Sequence, residues 1–183
     1  MPKIVATKDQ WTKLGYQLFA EMGIRGLNVE KMSNVLKCNR SSFYWHFRTK
    51  EEFIDEVINF WIKTETEQVI SKVEQFKTPR ERLSAFLEIA FKDEPYLEFI
   101  FFLKRYSKKN KKIQVIIDRV DDRRLEFSAN LFQDVGYSKK EASVKASIFY
   151  KYLIGHHEMI RNKKQPKNYL SYVKKELKHF LDI

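Results

Sequence analysis

The sequence has 183 residues and a formal net charge of +11, with 15 Phe, 9 Tyr and 3 Trp but only five Gly and four Pro. Its one cysteine excludes an internal disulfide and a cysteine-based zinc site, and the scarcity of turn-formers argues against many short strands. The longest apolar stretch, residues 99–103, is too short to span a bilayer, and the N-terminus shows no signal-peptide pattern. We therefore expect a cytoplasmic protein with no membrane partner and no cofactor.

Helix starts are marked along the chain by the capping-box pattern, in which a hydroxyl accepts from the third helical N–H and a Glu or Gln reaches back. The pattern begins at Thr7, Thr49, Thr78 and Ser138. Apolar residues recur at helical spacing between these points. The predicted helices cover about 7–23, 28–36, 39–47, 49–76, 79–92, 94–107, 111–135, 139–162 and 167–182. The sequence therefore predicts an all-α fold of about nine helices.

Positive charge is concentrated at the N-terminal end. Residues 1–50 hold nine Lys or Arg against three Asp or Glu, a net of +6, and the other 133 residues have a net of +5. Such a concentration is typical of a surface that binds a polyanion. The alternative is a generally basic protein, and composition alone barely separates the two. A second basic run, Lys104 to Lys112, is interpreted as a solvated helix junction, with a further nucleic-acid contact as the less favoured reading.

Residues 28–47 have the pattern of two short helices joined by a tight turn at Lys37 and Cys38. Asn28 and Asn39 are candidate N-caps. The inward-facing positions are predicted to be Val29, Met32, Val35, Leu36, Phe43 and Phe47. The outward-facing positions of the second helix are predicted to be Arg40, Ser41, Tyr44 and Trp45, with Ser42 and His46 as further candidates. Arginine, hydroxyl groups and ring edges suit the bases and phosphates of a major groove. Lys50, at the start of the next helix, is placed to hold a phosphate.

Over residues 7–55 the sequence resembles the TetR (tetracycline-repressor) family. The matching strings are Leu18-Phe19-Ala20-Glu21-Met22-Gly23, Gly26-Leu27-Asn28-Val29, and Ser42-Phe43-Tyr44-Trp45-His46-Phe47 followed by Lys50-Glu51 and Phe53. The resemblance implies a DNA-binding helix-turn-helix domain at 1–50 and a regulatory domain for ligand binding and dimerisation at 51–183. It implies base contacts for Arg40, Ser41 and Tyr44, and phosphate or groove contacts for Ser42, Trp45, His46 and Lys50. Asn28 is a further candidate DNA-binding residue.

The sequence departs from the family pattern at three of these positions. Asn28 stands at the usual Thr or Ser cap and is expected to cap equally well. Lys37 stands where Gly is usual in the turn, so a left-handed backbone there would be strained. Ser41 replaces a frequent Gly or Pro, which leaves the detailed base contacts undetermined.

The resemblance implies a homodimer that binds a palindromic double-stranded DNA operator through two half-sites. Two apolar stripes on the helix from Ser138 and an apolar final helix favour a four-helix dimer interface, with a thick monomeric core as the alternative. The interface is predicted to contain Phe149, Tyr152, Leu153, His156, Leu177 and Phe180. Adjacent His156 and His157 point in different directions on one helix, so they are not predicted to bind a metal together.

A cavity for a small-molecule effector is the further implication of the resemblance. Its candidate lining residues are Trp61, Phe86, Phe99, Phe102, Tyr106, Phe127 and Tyr150, with Phe91 also considered. Each of these residues taken singly is more typical of core packing than of a cavity wall. The favoured hypothesis is a repressor released from DNA by its effector. The alternatives are an all-helical binding protein or enzyme with an incidental basic face, and a regulator without a ligand. No catalytic motif favours an enzyme.

Overall fold

The computed structural model describes residues 6–91, 98–160 and 163–181, with the side chain of Phe180 excepted. The described residues form α-helices and contain no strand, which confirms the all-α prediction. The helices are α1 Lys8–Met22, α2 Val29–Val35, α3 Ser41–His46, α4 Lys50–Ile62, α5 Gln68–Glu74, α6 Pro79–Ala90, α7 Glu98–Ser107, α8 Lys111–Asp134, α9 Lys139–Ile160 and α10 Tyr169–Leu181. A 3₁₀ turn, Gly23–Gly26, follows α1. A π-helical turn, Lys63–Glu67, joins α4 to α5 without a break, so these two correspond to one predicted helix. None of the described helices is long and apolar enough to cross a membrane.

The predicted capping boxes form at three of their four positions as expected. At Thr7, Thr78 and Ser138, the hydroxyl accepts from the third helical N–H and the Gln or Glu side chain accepts from the capping residue's own N–H. At Thr49 only the first bond is made, because the Glu52 carboxylate accepts from the Arg48 N–H instead, at 2.9 Å. In the second of these boxes, the hydrogen bonds with Thr78 lower the pKa of Glu81. Short-range hydrogen bonding therefore places the helix starts where the sequence predicts them.

The chain divides into two compact units that alternate along the sequence. The first unit holds residues 1–65 and 95–117, and the second holds 66–94 and 118–183. The predicted DNA-binding domain, residues 1–50, lies wholly within the first unit, which also contains α4 and α7. The functional boundary after residue 50 stays a prediction.

The core of the first unit is built from aromatic rings on α1, α3, α4 and α7. Trp61 stacks on Phe99 with ring centroids 5.4 Å apart, and Phe19 lies 4.5 Å from the same Phe99 ring. Gly15 lets α1 approach α4 closely, because a Cβ at that position would lie 2.5 Å from the Phe53 ring. This packing fixes α4 and α7 against α1, and so sets the frame on which α2 and α3 are held.

The core of the second unit is an apolar cluster contributed by α5, α6, α8, α9 and α10. Phe149 of α9 lies at its centre, with the rings of Phe86, Phe91 and Phe132 at 5.2, 5.9 and 6.3 Å. From α10, Val173 and Leu177 are buried in the same cluster. The final helix is therefore part of the core of its own unit.

Candidate DNA-binding surface

A tight turn between α2 and α3 sets the direction of the second helix. The Asn28 side chain accepts from the Lys31 N–H at 3.0 Å and caps α2, as predicted. After α2, Lys37 adopts the left-handed backbone conformation with φ of 52°, which an L side chain makes unfavourable. The Cys38 N–H then donates to the Ser33 carbonyl at 3.0 Å. The Asn39 side chain accepts from the Ser41 N–H at 3.2 Å, so it supports the start of α3 although the helix begins at Ser41.

The inner face of α3 is anchored by two phenylalanines. Phe43 and Phe47 are buried, as predicted. The Phe43 ring meets Trp11 of α1 edge-on at 5.3 Å, and both phenylalanines contact Phe53 of α4 at about 5 Å. Because α3 has only six residues, these contacts with two neighbouring helices fix its rotation about its own axis.

The opposite side of α3 and its N-terminal approach carry the three residues predicted to touch DNA bases, together with Trp45, which is predicted to contact phosphate or frame the groove. Arg40, Ser41, Tyr44 and Trp45 are all exposed, with Tyr44 at 62% and Trp45 at 83% of full accessibility. Two adjacent aromatic side chains so open to water are unusual, because burying one Trp or Tyr stabilises a protein substantially. Rings that the fold leaves outside are available to a partner. The polar groups among them, a guanidinium and two hydroxyls, match hydrogen-bonding groups of base edges.

Ser42 and His46 do not face outward, and the structure corrects this part of the prediction. Ser42 is buried and donates its hydroxyl hydrogen to the Ala6 carbonyl at 3.2 Å, while Trp11 Nε1 donates to Ser42 Oγ at 3.3 Å. His46 is half-buried, and its Nε2 lies 2.8 Å from the same Ala6 carbonyl. Residues four apart share one face of a helix, and here that face meets the residues preceding α1. Both side chains therefore position α3 and are not its DNA-facing groups.

Lys50 is the first residue of α4 and is exposed. The Thr49 hydroxyl caps the helix by accepting from the Glu52 N–H at 3.0 Å, so the other N–H groups of the first turn remain available to an anion. A helix N-terminus with a lysine attracts phosphate. The phosphate contact of Lys50 stays a prediction, which this arrangement supports.

Among the residues that the structure describes, Arg40 has one ion-pair partner. Its Nη1 lies 4.0 Å from a carboxylate oxygen of Glu30 on α2, and both side chains are largely exposed. An exposed pair at this distance contributes little to stability, so it leaves the guanidinium available to a partner.

The seven residues predicted to line an effector cavity fall into both units. In the first unit, Trp61 and Phe99 are stacked and buried, and Phe102 and Tyr106 are half-buried. In the second unit, Phe86 and Phe127 form an edge-on pair at 5.6 Å. Burial raises the pKa of Tyr150 to about 12, and its hydroxyl donates to Asp121 at 2.5 Å. The buried residues of this set pack as core within their own units, and the role of all seven in a cavity stays a prediction.

A cavity of about 530 Å³ that the sequence did not predict lies within the second unit. Its lining includes three buried leucines and three basic side chains. The lining residues are Arg80, Leu83, Ser84, Leu87, Val135, Tyr137, Lys174, Leu177 and Lys178. Since these residues lie on α6, α10 and the loop after α8, no single stretch of sequence signals the cavity.

The predicted dimer residues separate into a buried and an accessible group. Phe149 and Leu177 are fully buried in the core of their own unit, so their side chains are unavailable to a second copy, which corrects the prediction at these two positions. Tyr152, Leu153 and His156 are half-buried. Phe180 lies on α10, but its side chain is outside the described residues. The strongly exposed apolar side chains of these helices are instead Val144, Ile148 and Met159 of α9 and Tyr172 of α10.

Half-buried polar groups connect α9 and α10 beside the exposed apolar side chains. The Tyr152 hydroxyl donates to the Glu176 carboxylate, and burial together with this bond raises the pKa of Tyr152. His156 Nε2 lies 2.8 Å from the Tyr169 hydroxyl, and burial lowers the pKa of the imidazole. These pairs fix α9 and α10 to each other as one surface of the second unit.

The sequence matches the model of one protein family over residues 12–57, the family described as bacterial regulatory proteins, tetR family. That interval contains α2, α3 and the start of α4. No curated protein matches the sequence.

Solved structures share the fold over nearly the whole chain. A putative transcriptional regulator from Saccharomonospora viridis in complex with choline has 16% identity and a TM-score of 0.79, covering 96% of this chain and 95% of that chain. A transcriptional regulator from Aquifex aeolicus VF5 has 24% identity and a TM-score of 0.69, covering 97% and 98%. AibR in complex with isovaleryl coenzyme A and operator DNA has 15% identity and a TM-score of 0.69, covering 94% and 96%.

Proposed function

We propose that this chain, a DNA-binding transcriptional regulator of the tetR family, is a repressor that binds a palindromic operator as a homodimer and is released by a small-molecule effector. The observation that carries the proposal is the exposed face of α3. Arg40, Ser41, Tyr44 and Trp45 are held outward on a helix whose inner side is locked by Phe43 and Phe47. A short, rigidly oriented helix with an arginine and two open rings is suited to a major groove.

The homodimer is supported by the exposed apolar side chains of the second unit. Met159 is 73% exposed and Ile148 is 41% exposed on α9, and Tyr172 is exposed on α10. Water contact with these side chains is unfavourable, and a two-fold axis through this surface would cover them with the same surface of a second copy. A symmetric dimer also presents two recognition helices to the two halves of a palindrome, about 34–36 Å apart.

The effector is supported by relatives of the same fold. The Saccharomonospora viridis protein was solved with choline, and AibR with isovaleryl coenzyme A together with operator DNA. In this chain, the effector would favour a body conformation in which the two recognition helices no longer fit adjacent half-sites. Its chemical identity is left open by this proposal.

The experiment that tests the proposal is a selection from random duplex DNA with the purified protein at about 0.15 M salt, read by sequencing. We expect a palindrome with two half-sites. Arg40→Ala should relax base preference within each half-site, and Lys50→Ala should weaken binding to all sequences and reduce its salt dependence. Lys63→Ala is the matched control, because this exposed lysine follows the opposite end of α4.

The outcomes separate the parts of the proposal. Recovery of unbiased DNA only would contradict sequence-specific regulation. Recovery of a single half-site with a monomer in sedimentation would contradict the homodimer. Wild-type behaviour of both Arg40→Ala and Lys50→Ala on a recovered palindrome would mean that α3 is not the recognition helix.

A further inference from the structure

Six basic side chains are clustered where α7 ends and α8 begins. They are Lys104, Arg105, Lys108, Lys109, Lys111 and Lys112, here called the basic junction. All six are exposed, and no acidic residue interrupts the run. The sequence alone is compatible with an ordinary solvated helix junction. Whether the cluster could contact DNA depends on where the fold places it.

The basic junction belongs to the same unit as the recognition helix. α7 is held against the N-terminal helices by its aromatic residues: Phe99 packs between Phe19 and Trp61. Phe102 lies against Gly23, where a Cβ would come within 2.6 Å of its ring. These contacts make α7 part of the frame that carries α2 and α3. The end of α7 that carries the basic side chains is thereby held in a fixed place relative to α1 and the turn after it.

An ion pair places the junction beside the N-terminal part of α4. Lys112 Nζ lies 2.6 Å from the Asp55 carboxylate. Asp55 is five residues beyond Lys50, which is about 7.5 Å along the helix axis at the α-helical rise. Lys50 is the residue predicted to hold a DNA phosphate. The junction therefore lies beside the first two turns of α4, the helix whose N-terminus carries Lys50.

The charge balance of the first unit depends on this junction. Residues 1–65 hold ten basic and eight acidic residues, a net of +2, because α4 adds Glu51, Glu52, Asp55 and Glu56 close to the DNA-binding helices. Residues 95–117 hold six basic residues and one acidic residue, a net of +5. With six basic side chains and no acidic one, the junction carries a charge of +6, which equals the net charge of residues 1–50 and offsets the acidic residues of α4.

Three lysines of the junction are available to a partner. Lys112 is paired with Asp55, whereas Lys108, Lys109 and Lys111 make no ion pair with any residue that the structure describes. Flexible ammonium groups of this kind bind phosphates as point charges and read no sequence.

We propose that the basic junction is a second DNA-contacting surface, which holds phosphates of the duplex flanking the sequence read by α3 and adds affinity without base preference. The proposal rests on the DNA-binding function proposed above. It assigns this surface to the stretch of DNA outside the bases that α3 contacts, because the junction meets α4 at Asp55, beyond Lys50 on that helix. Each phosphate contact releases counterions and therefore contributes to the salt dependence of binding.

The test compares the triple variant Lys108→Ala/Lys109→Ala/Lys111→Ala with the control Lys72→Ala/Lys139→Ala/Lys140→Ala. The control removes the same charge from exposed lysines of the second unit. Binding is measured by fluorescence anisotropy across a salt series on two duplexes. One is the selected site alone, and the other has about one helical turn, about 10 base pairs, added on each side. Thermal unfolding of each variant checks that the exposed substitutions leave the fold intact.

We expect the junction variant to bind the flanked duplex more weakly and with a shallower salt dependence. The slope of log Kobs against log salt should fall by about 0.9 for each phosphate that the variant no longer neutralises. Affinity for the unflanked duplex and the selected base preference should remain close to wild type, and the control should behave like wild type on both duplexes. Equal slopes for the junction variant, the control and wild type on the flanked duplex would overturn the proposal.

Failure of this proposal is distinguishable from failure of the proposed function. Lys50→Ala and the selection test the helix-turn-helix, and neither depends on the junction. Where no sequence is selected, the same salt series on random duplex still decides the question. A slope that falls only in the junction variant supports a phosphate-binding surface, and an unchanged slope contradicts one.

Discussion

The proposed recognition helix α3 and the long helix α9 both place a buried aromatic residue next to an exposed apolar one. In α3, Phe43 is buried and Tyr44 is exposed; in α9, Phe149 is buried and Ile148 is exposed. Sequence patterning predicted the two faces of α3 correctly at Phe43, Phe47, Tyr44 and Trp45. On α9 it assigned Phe149 to an interface between two copies, whereas the residue is at the centre of its own unit's core. A helix with one apolar stripe can therefore be oriented towards its core from the sequence alone. A helix with two apolar stripes cannot, because either stripe could face the core of its own unit.

The largest expected effect is the loss of stability when the buried aromatic residue of α9 is truncated. Phe149→Ala should lower the free energy of unfolding by about 3–5 kcal/mol, because it removes a fully buried ring from contact with three other phenylalanines. Urea denaturation at several protein concentrations measures it. Ile148→Ala is the neighbouring control and should cost less than about 1.5 kcal/mol, with an effect that depends on protein concentration if this face forms the dimer. Equal losses of stability for both variants would show that α9 is rotated relative to this description.

The next effect concerns the exposed face of α3. Tyr44→Ala should weaken operator binding by about 1–3 kcal/mol, the range for removing one base contact, while stability changes by no more than about 0.5 kcal/mol. Phe43→Ala is the contrasting variant, since it should destabilise the first unit by about 3–5 kcal/mol. Anisotropy titration and urea denaturation separate the two effects. A Tyr44→Ala protein that unfolds easily but, when folded, binds the operator normally would place Tyr44 among the packing residues.

A smaller effect is expected at the turn that orients α3. Lys37→Gly should raise the free energy of unfolding by up to about 1 kcal/mol, because glycine adopts the observed φ of 52° without strain but loses more chain entropy on folding. Thermal denaturation measures the change. Lys37→Ala keeps the backbone strain and removes the same charge, so a gain shared by both variants would assign the effect to charge instead.

The weakest effect is the pH dependence contributed by His156 on α9. Burial lowers the pKa of this imidazole below its usual 6.5, although Glu176 opposes the shift. The unfolded chain therefore takes up the proton first, and stability falls as pH drops from 6.5 towards the lowered pKa. Denaturation midpoints between about pH 7.5 and pH 5 should fall less steeply in His156→Gln than in wild type. Parallel pH profiles for the two proteins would contradict this contribution.

The features that could be predicted from the sequence depend on interactions over a few residues. The capping boxes at Thr7, Thr78 and Ser138, the cap at Asn28, and the alternation of Phe43 and Phe47 with exposed residues all follow from hydrogen bonds or spacings of three or four residues. Such signals are complete within one helix and its ends. They were sufficient for the all-α class and for most of the candidate DNA-binding surface.

The features that depend on which helices meet became visible only in the folded chain. Ser42 and His46 turn inward because the Ala6 carbonyl, 36 and 40 residues away in sequence, lies beside α3. Phe149 is core because α6 and α8 cover it, and the basic junction comes beside α4 through the pair of Lys112 with Asp55, 57 residues apart. The spacing of apolar and charged residues in the sequence shows that a helix has an apolar or a charged side. It does not state what that side faces, because the partner belongs to a distant segment brought near only by folding.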